Sequence, residues 1–221
     1  MKEKEIWDST WKMGGYDILK PDKNIVDLVK FLKRGKYKKI LDLGCGAGRH
    51  MVYLGRQRFF MFGLDISPTA LKLTRKWLKK EKLKNYFLIE SDIIKLPFKK
   101  EYFDVVISVN VINHNPLNKI EKTVNEIERV LKKNGITFVI VNSIKDRKFG
   151  IGRKIEHNTY AVPCSEHIPG SAIHHFFNKS DVKKLFSKFK IIKIKEEVKH
   201  ARVKGKIKNS AHWLVLCQKI K

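Results

Sequence analysis

Cysteine is scarce in this chain, and long apolar runs are missing from it. The three cysteines, Cys45, Cys164 and Cys217, are far apart, and no Cys-x-x-Cys pair occurs. A disulfide framework and a cysteine-based zinc site are therefore not expected, and the expected location is a reducing cytoplasm. No run of about 18 uncharged apolar residues occurs, and the chain does not open on a signal-peptide pattern, so neither a membrane span nor secretion is expected.

Acidic residues are also few: 22 Asp and Glu stand against 48 Lys and Arg, which gives a formal net charge of +26. The excess is largest over residues 144–221, where 19 basic and 6 acidic residues leave +13. A charge of this size attracts polyanions such as RNA. Lysine enrichment is also general in heat-loving organisms. Because most of the basic residues are lysines, we favour this thermophile background slightly over a dedicated nucleic-acid surface.

Short apolar segments alternate with helical patterns over the first two thirds of the chain. The predicted strands cover residues 40–43, 59–64, 86–89, 105–109 and 136–141, and the helices between them cover 51–56, 67–81 and 120–131. Ser67 is the expected N-cap before Pro68, and Asn134-Gly135 is the expected end of the last helix. This alternation predicts an α/β fold, with a mostly parallel, doubly wound sheet covered by helices on both faces.

The pattern changes after Asn142. The next 30 residues or so, up to Ile173, have no clear periodicity, which is typical of a functional connection. Ser180 is expected to cap a helix that runs to Phe189, and two antiparallel strands follow it, over residues 191–198 and 212–217. We predict a single domain over residues 1–221, with an N-terminal helical arm at 1–35 and a substrate-side insertion at 144–173.

A glycine-rich loop follows the first predicted strand, in the stretch Asp42-Leu43-Gly44-Cys45-Gly46-Ala47-Gly48-Arg49. The third glycine of a dinucleotide fingerprint would fall on Arg49, so the pattern here is instead G-x-G-x-G preceded by an acid. Asp65 ends the second strand, where a carboxylate can accept both hydroxyls of a ribose. Asp92 follows the third strand, where it can accept from an adenine amino group. Either acid alone would also suit a helix cap, but together with the loop they predict an adenosine-containing ligand.

These motifs resemble those of the class I S-adenosylmethionine-dependent methyltransferases. The likeness covers residues 38–143 and rests on the stretches ILDLGCGAGR (40–49), GLDIS (63–67), DIIKLPF (92–98), FDVVIS (103–108) and ERVLKKNGI (128–136). A weaker likeness, carried by residues 48–50 and 173–177, is to the methyltransferase type 11 and tellurite-resistance-like branch. The resemblance implies a Rossmann-like sheet of seven strands in the order 3-2-1-4-5-7-6, with the last strand antiparallel, and S-adenosyl-L-methionine as the cofactor.

The resemblance also implies which residues hold the methionine part of the cofactor. Gly44, Cys45 and Gly46 would line it through backbone contacts. Asp42 would orient its ammonium group, directly or through water. Arg49 would reach its carboxylate or, equally well, form a salt bridge on the helix face.

For the rest of the cofactor, the implied contacts come from the ends of the second, third and fourth strands. Asp65 would bind the ribose hydroxyls, and Ile66 would pack on the adenine. Asp92 and the amide of Ile93 would bind the adenine edge, and Asn110 would lie beside the sulfonium.

His114 and His175 are the candidate catalytic residues. Methyl transfer from a sulfonium mainly needs alignment and exclusion of water, so a general base is optional. His114 follows the fourth strand and could deprotonate a nucleophile, although a structural hydrogen bond explains it as well. Because side chains alternate along an extended segment, at most one residue of the pair His174-His175 faces the site. No metal is predicted.

Two further segments have candidate substrate contacts. In the insertion these are Glu156, His157 and Tyr160. In the N-terminal arm, Trp7, Trp11 and Tyr16 would form a lid over the ligand or pack on the sheet edge. Cys164 is the one cysteine with a tempting context, after Pro163, but we expect it to have no catalytic role.

The sequence as a whole predicts an S-adenosylmethionine-dependent methyltransferase that acts by direct displacement, with a small-molecule acceptor favoured. The alternatives are a tRNA or rRNA methyltransferase that uses the basic C-terminal half, and a non-catalytic cofactor-binding subunit. The segment His212–Leu216 weakly resembles the end of tRNA wobble-uridine carboxymethyl methyltransferases. A membrane partner is not expected, and the sequence does not indicate the oligomeric state.

Overall fold

Helices and strands alternate through most of the computed structural model, which describes residues 3–14, 20–164, 170–203 and 206–220. The helices are α1 (Glu3–Lys12), α2 (Lys23–Arg34), α3 (Arg49–Arg56), α4 (Pro68–Lys80), α5 (Leu117–Val130) and α6 (Lys179–Leu185), with a short 3-10 turn at Ile112–His114. The strands are β1 (Lys39–Leu43), β2 (Phe60–Asp65), β3 (Tyr86–Glu90), β4 (Phe103–Val109), β5 (Leu131–Asn142), β6 (Arg153–Glu156), β7 (Thr159–Pro163), β8 (Ser171–His175), β9 (Phe189–Val203) and β10 (Lys206–Lys219). Tyr16 lies outside the described residues.

Seven strands form the main sheet, in the order β3-β2-β1-β4-β5-β10-β9. The strands β1 to β5 pair in parallel, and β10 is antiparallel to both of its neighbours, β5 and β9. Because β9 and β10 are the sixth and seventh strands of this sheet along the chain, the order reads 3-2-1-4-5-7-6. The predicted Rossmann-like topology and its antiparallel last strand are confirmed.

Both faces of the main sheet are covered by helices. In β1, Ile40 belongs to the apolar cluster that contains α2, α3 and α4, whereas the next residue, Leu41, belongs to the cluster with α5 and α6. The same alternation is found in β4, where Val105 and Val106 face opposite clusters. Strands buried on both faces read as nearly continuous apolar runs, which is why the sequence pattern identified them.

The insertion has more regular structure than its sequence indicates. Residues expected to lack periodicity form a second antiparallel sheet of three strands, β6-β7-β8. The prediction of a 30-residue connection without regular elements is therefore wrong. Strands of four or five residues are too short to give a recognisable alternation of apolar and polar positions.

Helix ends are partly as predicted. Ser67 accepts from the backbone N–H of Ala70 at 3.1 Å and caps α4, as expected. The helix α5 ends at Val130 and not at Asn134-Gly135, because Leu131 is extended and pairs with Phe103 of β4.

The cap of α6 differs from the prediction as well. Asn178, not Ser180, accepts from the backbone N–H of Asp181, whose carboxylate in turn accepts from the N–H of Asn178. This reciprocal pair is a capping box, which satisfies two helix-terminal amides at once. The helix then ends at Leu185, earlier than the expected Phe189.

None of the helices in the described ranges is long and apolar enough to cross a membrane.

Candidate active site

A pocket opens at the carboxyl ends of the parallel strands. It is bordered by the glycine loop after β1, by the ends of β2 and β4, by the segments after β3 and β5, and by α1. Ligands bind at this edge of open α/β sheets, because the strand order reverses there and leaves a crevice between the loops. From β1 the chain continues through β2 to β3 toward one edge of the sheet, and β4 then lies on the other side of β1. The strand order therefore reverses between β1 and β4.

The glycine loop has a backbone that side chains would disrupt. Gly44 and Gly46 have φ values of 74° and 53°, in the left-handed region that favours glycine. A Cβ on Gly44 would lie 2.5 Å from the methyl groups of Val111, and one on Gly46 would lie 2.6 Å from the ring of Trp11. The N–H groups of Gly44 and Cys45 both donate to the carbonyl oxygen of Leu64, which ties the loop to β2.

Asp65 is held in place by two backbone amides. One carboxylate oxygen accepts from the N–H of Gly46 and the other from the N–H of Ser67, both at 2.9 Å. Burial raises the pKa of Asp65, while these backbone hydrogen bonds oppose the rise. The side chain joins the glycine loop to the start of α4 and borders the pocket, where its remaining lone pairs can accept hydroxyl groups.

The segment after β3 has the second acid. Asp92 accepts from the backbone N–H of Ile94 at 3.1 Å and borders the pocket together with Ile93. Ile66 borders it from the end of β2. Two carboxylates and two apolar side chains therefore lie on the β2–β3 side of the pocket, a combination suited to a nucleoside.

Asn110 directly follows β4, with a left-handed backbone and an unpaired side-chain oxygen. Its φ is 57°, and its Oδ1 is buried without a hydrogen-bond partner. A buried hydrogen-bond acceptor that lacks a partner typically lowers the stability of a protein by about 1–3 kcal/mol. Because Asn110 borders the pocket, a bound ligand with positive character would satisfy this oxygen. The residues present therefore fit a cationic, adenosine-containing cofactor.

Nine of the ten predicted cofactor residues border this one pocket, and Asp42 does not. Asp42 lies beneath the loop, 1% exposed, with its unpaired Oδ2 3.9 Å from Nδ1 of His50. His50, which borders the pocket, accepts from the backbone N–H of Asp22 at 3.3 Å, so its proton is on Nδ1 and points toward Asp42. The expectation of a direct bond from Asp42 to a ligand is thus corrected, because the His50 ring lies at the pocket wall instead.

Burial is the main cause of the shifted pKa values of Asp42 and His50. Burial, together with the charge of Arg49, lowers the pKa of His50 to about 3, so the ring is neutral. Burial likewise raises the pKa of Asp42 to about 7; the charge of Arg49 opposes this rise and that of Asp65 adds to it. Arg49 opens α3 at the pocket wall and is the nearby cation available for a ligand carboxylate.

His114 borders the pocket from the turn after β4. Its Nδ1 lies 3.2 Å from the carbonyl oxygen of Ile173, which can only accept, so Nδ1 has the proton and Nε2 is the basic nitrogen. Burial lowers its pKa to about 4, against the effect of the carbonyl oxygens of Ile173 and Asn110, and the Lys148 charge lowers it too. The ring is neutral at pH 7 and can accept a proton.

Of the two adjacent histidines on β8, His174 faces the pocket, although His175 is the predicted catalytic residue. His174 borders the pocket and meets His114 edge-on, with 4.5 Å between the ring centroids. His175 points to the other face, where its Nδ1 lies 2.6 Å from the hydroxyl of Thr159 and its ring packs on Phe177. The catalytic prediction for His175 is therefore corrected: alternation along the strand gave one inward side chain, and the sequence could not tell which.

The predicted substrate contacts of the insertion are not at the pocket. Glu156 accepts from the backbone N–H of Leu117 at 2.7 Å and from the hydroxyl of Thr159, a structural role. Tyr160 packs edge-on against Phe149 and Phe176. His157, like these two, does not border the pocket. Burial raises the pKa of Cys164, which does not favour a thiolate.

The N-terminal arm lies at the pocket. Trp7 and Trp11 both border it, and Trp7 meets the His114 ring at 4.8 Å between centroids. The helix α1 is held there by Asp8, which accepts from the hydroxyl of Ser67 and from the N–H of Thr69 at the start of α4. Both tryptophans therefore lie at the pocket, and their role as a lid over a ligand stays a prediction.

Several pocket residues were missed by sequence reasoning, namely Glu3, Asn142, Asp146, Arg147, Lys148, Ser210 and His212. Asn142 ends β5, so the rule that identified Asn110 at the end of β4 could have identified it. The residues after β5 follow from the same rule. Ser210 and His212 could not be found in this way, because they come from β10, which enters the pocket edge only through its antiparallel pairing with β5.

The family model described as a methyltransferase domain matches residues 35–200 of this chain. Among curated proteins, the ubiquinone biosynthesis O-methyltransferase of Pelagibacter ubique is 32% identical over 102 residues, which cover 46% of this chain and 40% of that protein. The tRNA (carboxymethyluridine(34)-5-O)-methyltransferase of Arabidopsis thaliana is 33% identical over 104 residues, covering 46% of this chain and 23% of that protein. The chain thus spans less than half the length of these relatives.

Solved structures share the fold. The 1,6-didemethyltoxoflavin-N1-methyltransferase of Burkholderia thailandensis, solved with S-adenosylhomocysteine, has a TM-score of 0.71 at 14% identity, covering 99% of this chain and 87% of that one. TehB from Haemophilus influenzae has a TM-score of 0.68 at 17% identity, covering 97% of this chain and 67% of that one. With the family match over three quarters of its length, the chain belongs to the methyltransferase domain family.

Proposed function

We propose that this protein transfers a methyl group from S-adenosylmethionine to a small-molecule acceptor. The observation that carries the proposal is the junction of two sets of residues in one pocket. The glycine loop, Asp65 and Asn110 line one part, and His114, on the turn that follows Asn110, borders the same pocket.

The cofactor would be held by the residues that the family motifs predict. The loop at Gly44 to Gly46 would line its methionine part, Arg49 would pair with its carboxylate, and Asp65 would accept from the ribose. Asp92 and Ile93 would bind the adenine. When bound, S-adenosylmethionine supplies an electrophilic methyl group on a sulfonium.

The protein's own contribution is to orient the acceptor, exclude water and accept a proton. The position of Trp7 and Trp11 supports exclusion of water, because both side chains border the pocket. Aromatic faces also stabilise a nearby cation. The Nε2 of His114 would take the proton from an acceptor O–H or N–H, while Nδ1 stays bonded to Ile173 and keeps the ring oriented.

The small-molecule reading is supported by the position of α1, whose residues Glu3, Trp7 and Trp11 border the pocket. A second candidate is methylation of a tRNA. It is favoured by the match to the Arabidopsis tRNA methyltransferase and by the net charge of +26. That candidate requires RNA binding that weakens steeply with salt.

The test of the proposal is calorimetric binding of S-adenosylmethionine to the wild type and to Asp65→Ala. We expect micromolar affinity in the wild type and a loss of at least about tenfold in the variant, since the ribose would lose its acceptor. Asp65 also caps two amides, so Asp92→Ala serves as a second variant with a milder structural effect. Asp27→Ala, on the exposed side of α2, is the matched control and is expected to bind normally.

Absence of binding in the wild type would overturn the proposal. A bulk tRNA fraction, added at low and high salt, separates the two acceptor classes. Salt-sensitive tRNA binding followed by methyl incorporation into the RNA would favour the second candidate. Methyl transfer to small acceptors without tRNA binding would favour the first.

A further inference from the structure

Four charged residues of the pocket come from opposite halves of the sheet. The carboxylates Asp65 and Asp92 come from the ends of β2 and β3, on one half of the sheet. The cations Arg147 and Lys148 come from the turn after β5, on the other half. Arg49, Glu3 and Asp146 border the pocket as well, so the pair Arg147 and Lys148 is a local cationic feature next to β5.

The turn that presents these cations is tied down on both sides. Asp146 accepts from the N–H of Lys148 through one carboxylate oxygen and from the N–H of Ala211 in β10 through the other, both at 2.9 Å. The N–H of Arg147 donates to the carbonyl oxygen of Asn209. Because the backbone is held in this way, the two side chains start from a defined place at the pocket edge.

The two cations have no carboxylate partner in the part of the chain that the structure describes, where neither lies within 4.0 Å of an acidic oxygen. The carboxylate of Asp146 is engaged by backbone amides instead. The nearby Lys145, by contrast, pairs with Glu196 at 2.6 Å. Lys148 is half-buried at the pocket, while Arg147 is exposed at its rim. A half-buried ammonium next to a cavity is a site that an anionic ligand group would neutralise.

Lys148 is also close to the histidines at which proton transfer is proposed. Its charge contributes to the lowered pKa of both His114 and His174. An anion paired with Lys148 would cancel that contribution and make His114 a stronger base when the acceptor is bound. The cationic pair next to β5 and the base therefore belong to one functional unit.

We propose that the acceptor is a small organic acid, whose carboxylate or phosphate pairs with Lys148 and is approached by Arg147 while its nucleophilic O–H or N–H faces Nε2 of His114. The proposal rests on the proposed function. In the transfer, the acceptor forms a bond to the methyl carbon as the bond from that carbon to sulfur breaks. The electron pair stays on sulfur, and the acceptor's proton goes to His114.

The test compares three probes of similar size, benzoate, phenyl phosphate and neutral benzamide, on the protein saturated with S-adenosylhomocysteine. Binding is followed by ligand-observed NMR titration. We expect at least one anion to bind the wild type about tenfold more tightly than benzamide, which is roughly the effect of one charge-assisted hydrogen bond. The two anions distinguish a carboxylate site from a phosphate site.

Variants assign the preference to the site. Lys148→Met is expected to abolish the preference for the anion, and Lys148→Arg to retain it. Lys145→Met, which changes a neighbouring exposed lysine outside the pocket, is the matched control and is expected to retain it as well. Binding of S-adenosylhomocysteine is measured in the same samples and is expected to be unchanged in all three variants.

Equal binding of the three probes, no binding of either anion, or a preference that survives Lys148→Met would overturn the inference alone, provided that S-adenosylhomocysteine binds. Failure of S-adenosylhomocysteine to bind the wild type would overturn the inference and the proposed function together. Binding of tRNA that is weakened by Lys148→Met, without any preference for the small anions, would overturn it in favour of nucleic-acid phosphate.

Discussion

At the scale of single residues, alanine variants of two glycines separate the effect of backbone strain from the effect of an added Cβ that collides with a neighbour. Gly44 and Gly150 have φ values of 74° and 79°, so an alanine at either position is strained by roughly 1–2 kcal/mol. Only at Gly44 would the added Cβ collide, with Val111 at 2.5 Å, since nothing lies within 4 Å of that position at Gly150.

We therefore expect Gly44→Ala to weaken S-adenosylmethionine binding by about tenfold or more and Gly150→Ala to change it less than about twofold. Both variants lose stability from the strained backbone, and Gly44→Ala is expected to lose more because its Cβ also collides with Val111. Calorimetric titration gives the affinities, and chemical unfolding gives the stabilities. Equal affinities in the two variants would show that the loop tolerates a side chain at Gly44.

The buried carboxyl of Asp42 makes the stability of the ligand-free protein depend on pH. Its pKa is raised from 3.8 to about 7 by burial. Between these values the folded protein keeps a proton that the unfolded chain has lost, so this group's contribution to stability falls as pH rises through that window.

Asp42→Asn should remove this dependence. Between about pH 5 and about pH 8, we expect the wild type to lose roughly 2–3 kcal/mol more stability than Asp42→Asn, from about 1.4 kcal/mol per pKa unit. The difference between the two proteins, measured by urea unfolding, isolates Asp42 from the buried histidines, whose lowered pKa values act in the opposite direction. Parallel curves for the two proteins would contradict the raised pKa.

At the scale of elements, α1 borders the pocket and is anchored on α4. Asp8 holds α1 on the first turn of α4 through the Ser67 hydroxyl and the Thr69 amide. The helix α1 also makes ion pairs with other elements: Lys4 with Glu90, which is exposed and contributes little on its own, and Glu3 with Lys119, which is partly buried.

Asp8→Ala is expected to loosen α1 and to speed the release of S-adenosylhomocysteine by about tenfold, because the lid of Trp7 and Trp11 would open more often. Stopped-flow tryptophan fluorescence measures that rate. Lys12→Met removes only the exposed partner of Asp8 and should leave the rate nearly unchanged. An identical rate in Asp8→Ala and the wild type would mean that α1 does not limit release.

At the scale of the whole molecule, the dominant property is the net charge of +26. Charges of one sign repel each other more in the folded chain than in the expanded one, and salt screens this repulsion. The exposed ion pairs that salt also weakens are worth little individually.

We therefore expect the melting temperature to rise when KCl is increased from about 20 mM to about 300 mM, by about 2–4 °C for each kcal/mol of repulsion removed. Differential scanning calorimetry at both concentrations checks this. Sucrose of matched osmolality controls for excluded-volume effects. A melting temperature that falls with salt would mean that the ion pairs outweigh the repulsion.

How much of the site could be predicted follows from where its residues lie in the chain. Asp65, Asp92 and Asn110 each end or follow a parallel strand, so the strand pattern alone brought them to one edge. Trp7 and Trp11 were recognised only as aromatic side chains in need of a contact. Their place at the pocket depends on long-range contacts between α1 and α4, which no local pattern encodes.

The sequence by itself determined the fold, because buried parallel strands are apolar runs and the glycine loop admits few conformations. Only the tertiary structure decided the acceptor side of the pocket. His174 rather than His175 faces inward because β8 pairs with β7 in one register. The charge of Lys148 acts on His114 and His174 because β10 holds the turn after β5 in place. Such contacts join residues far apart in the chain, and their partners are defined by packing and hydrogen bonding rather than by local periodicity.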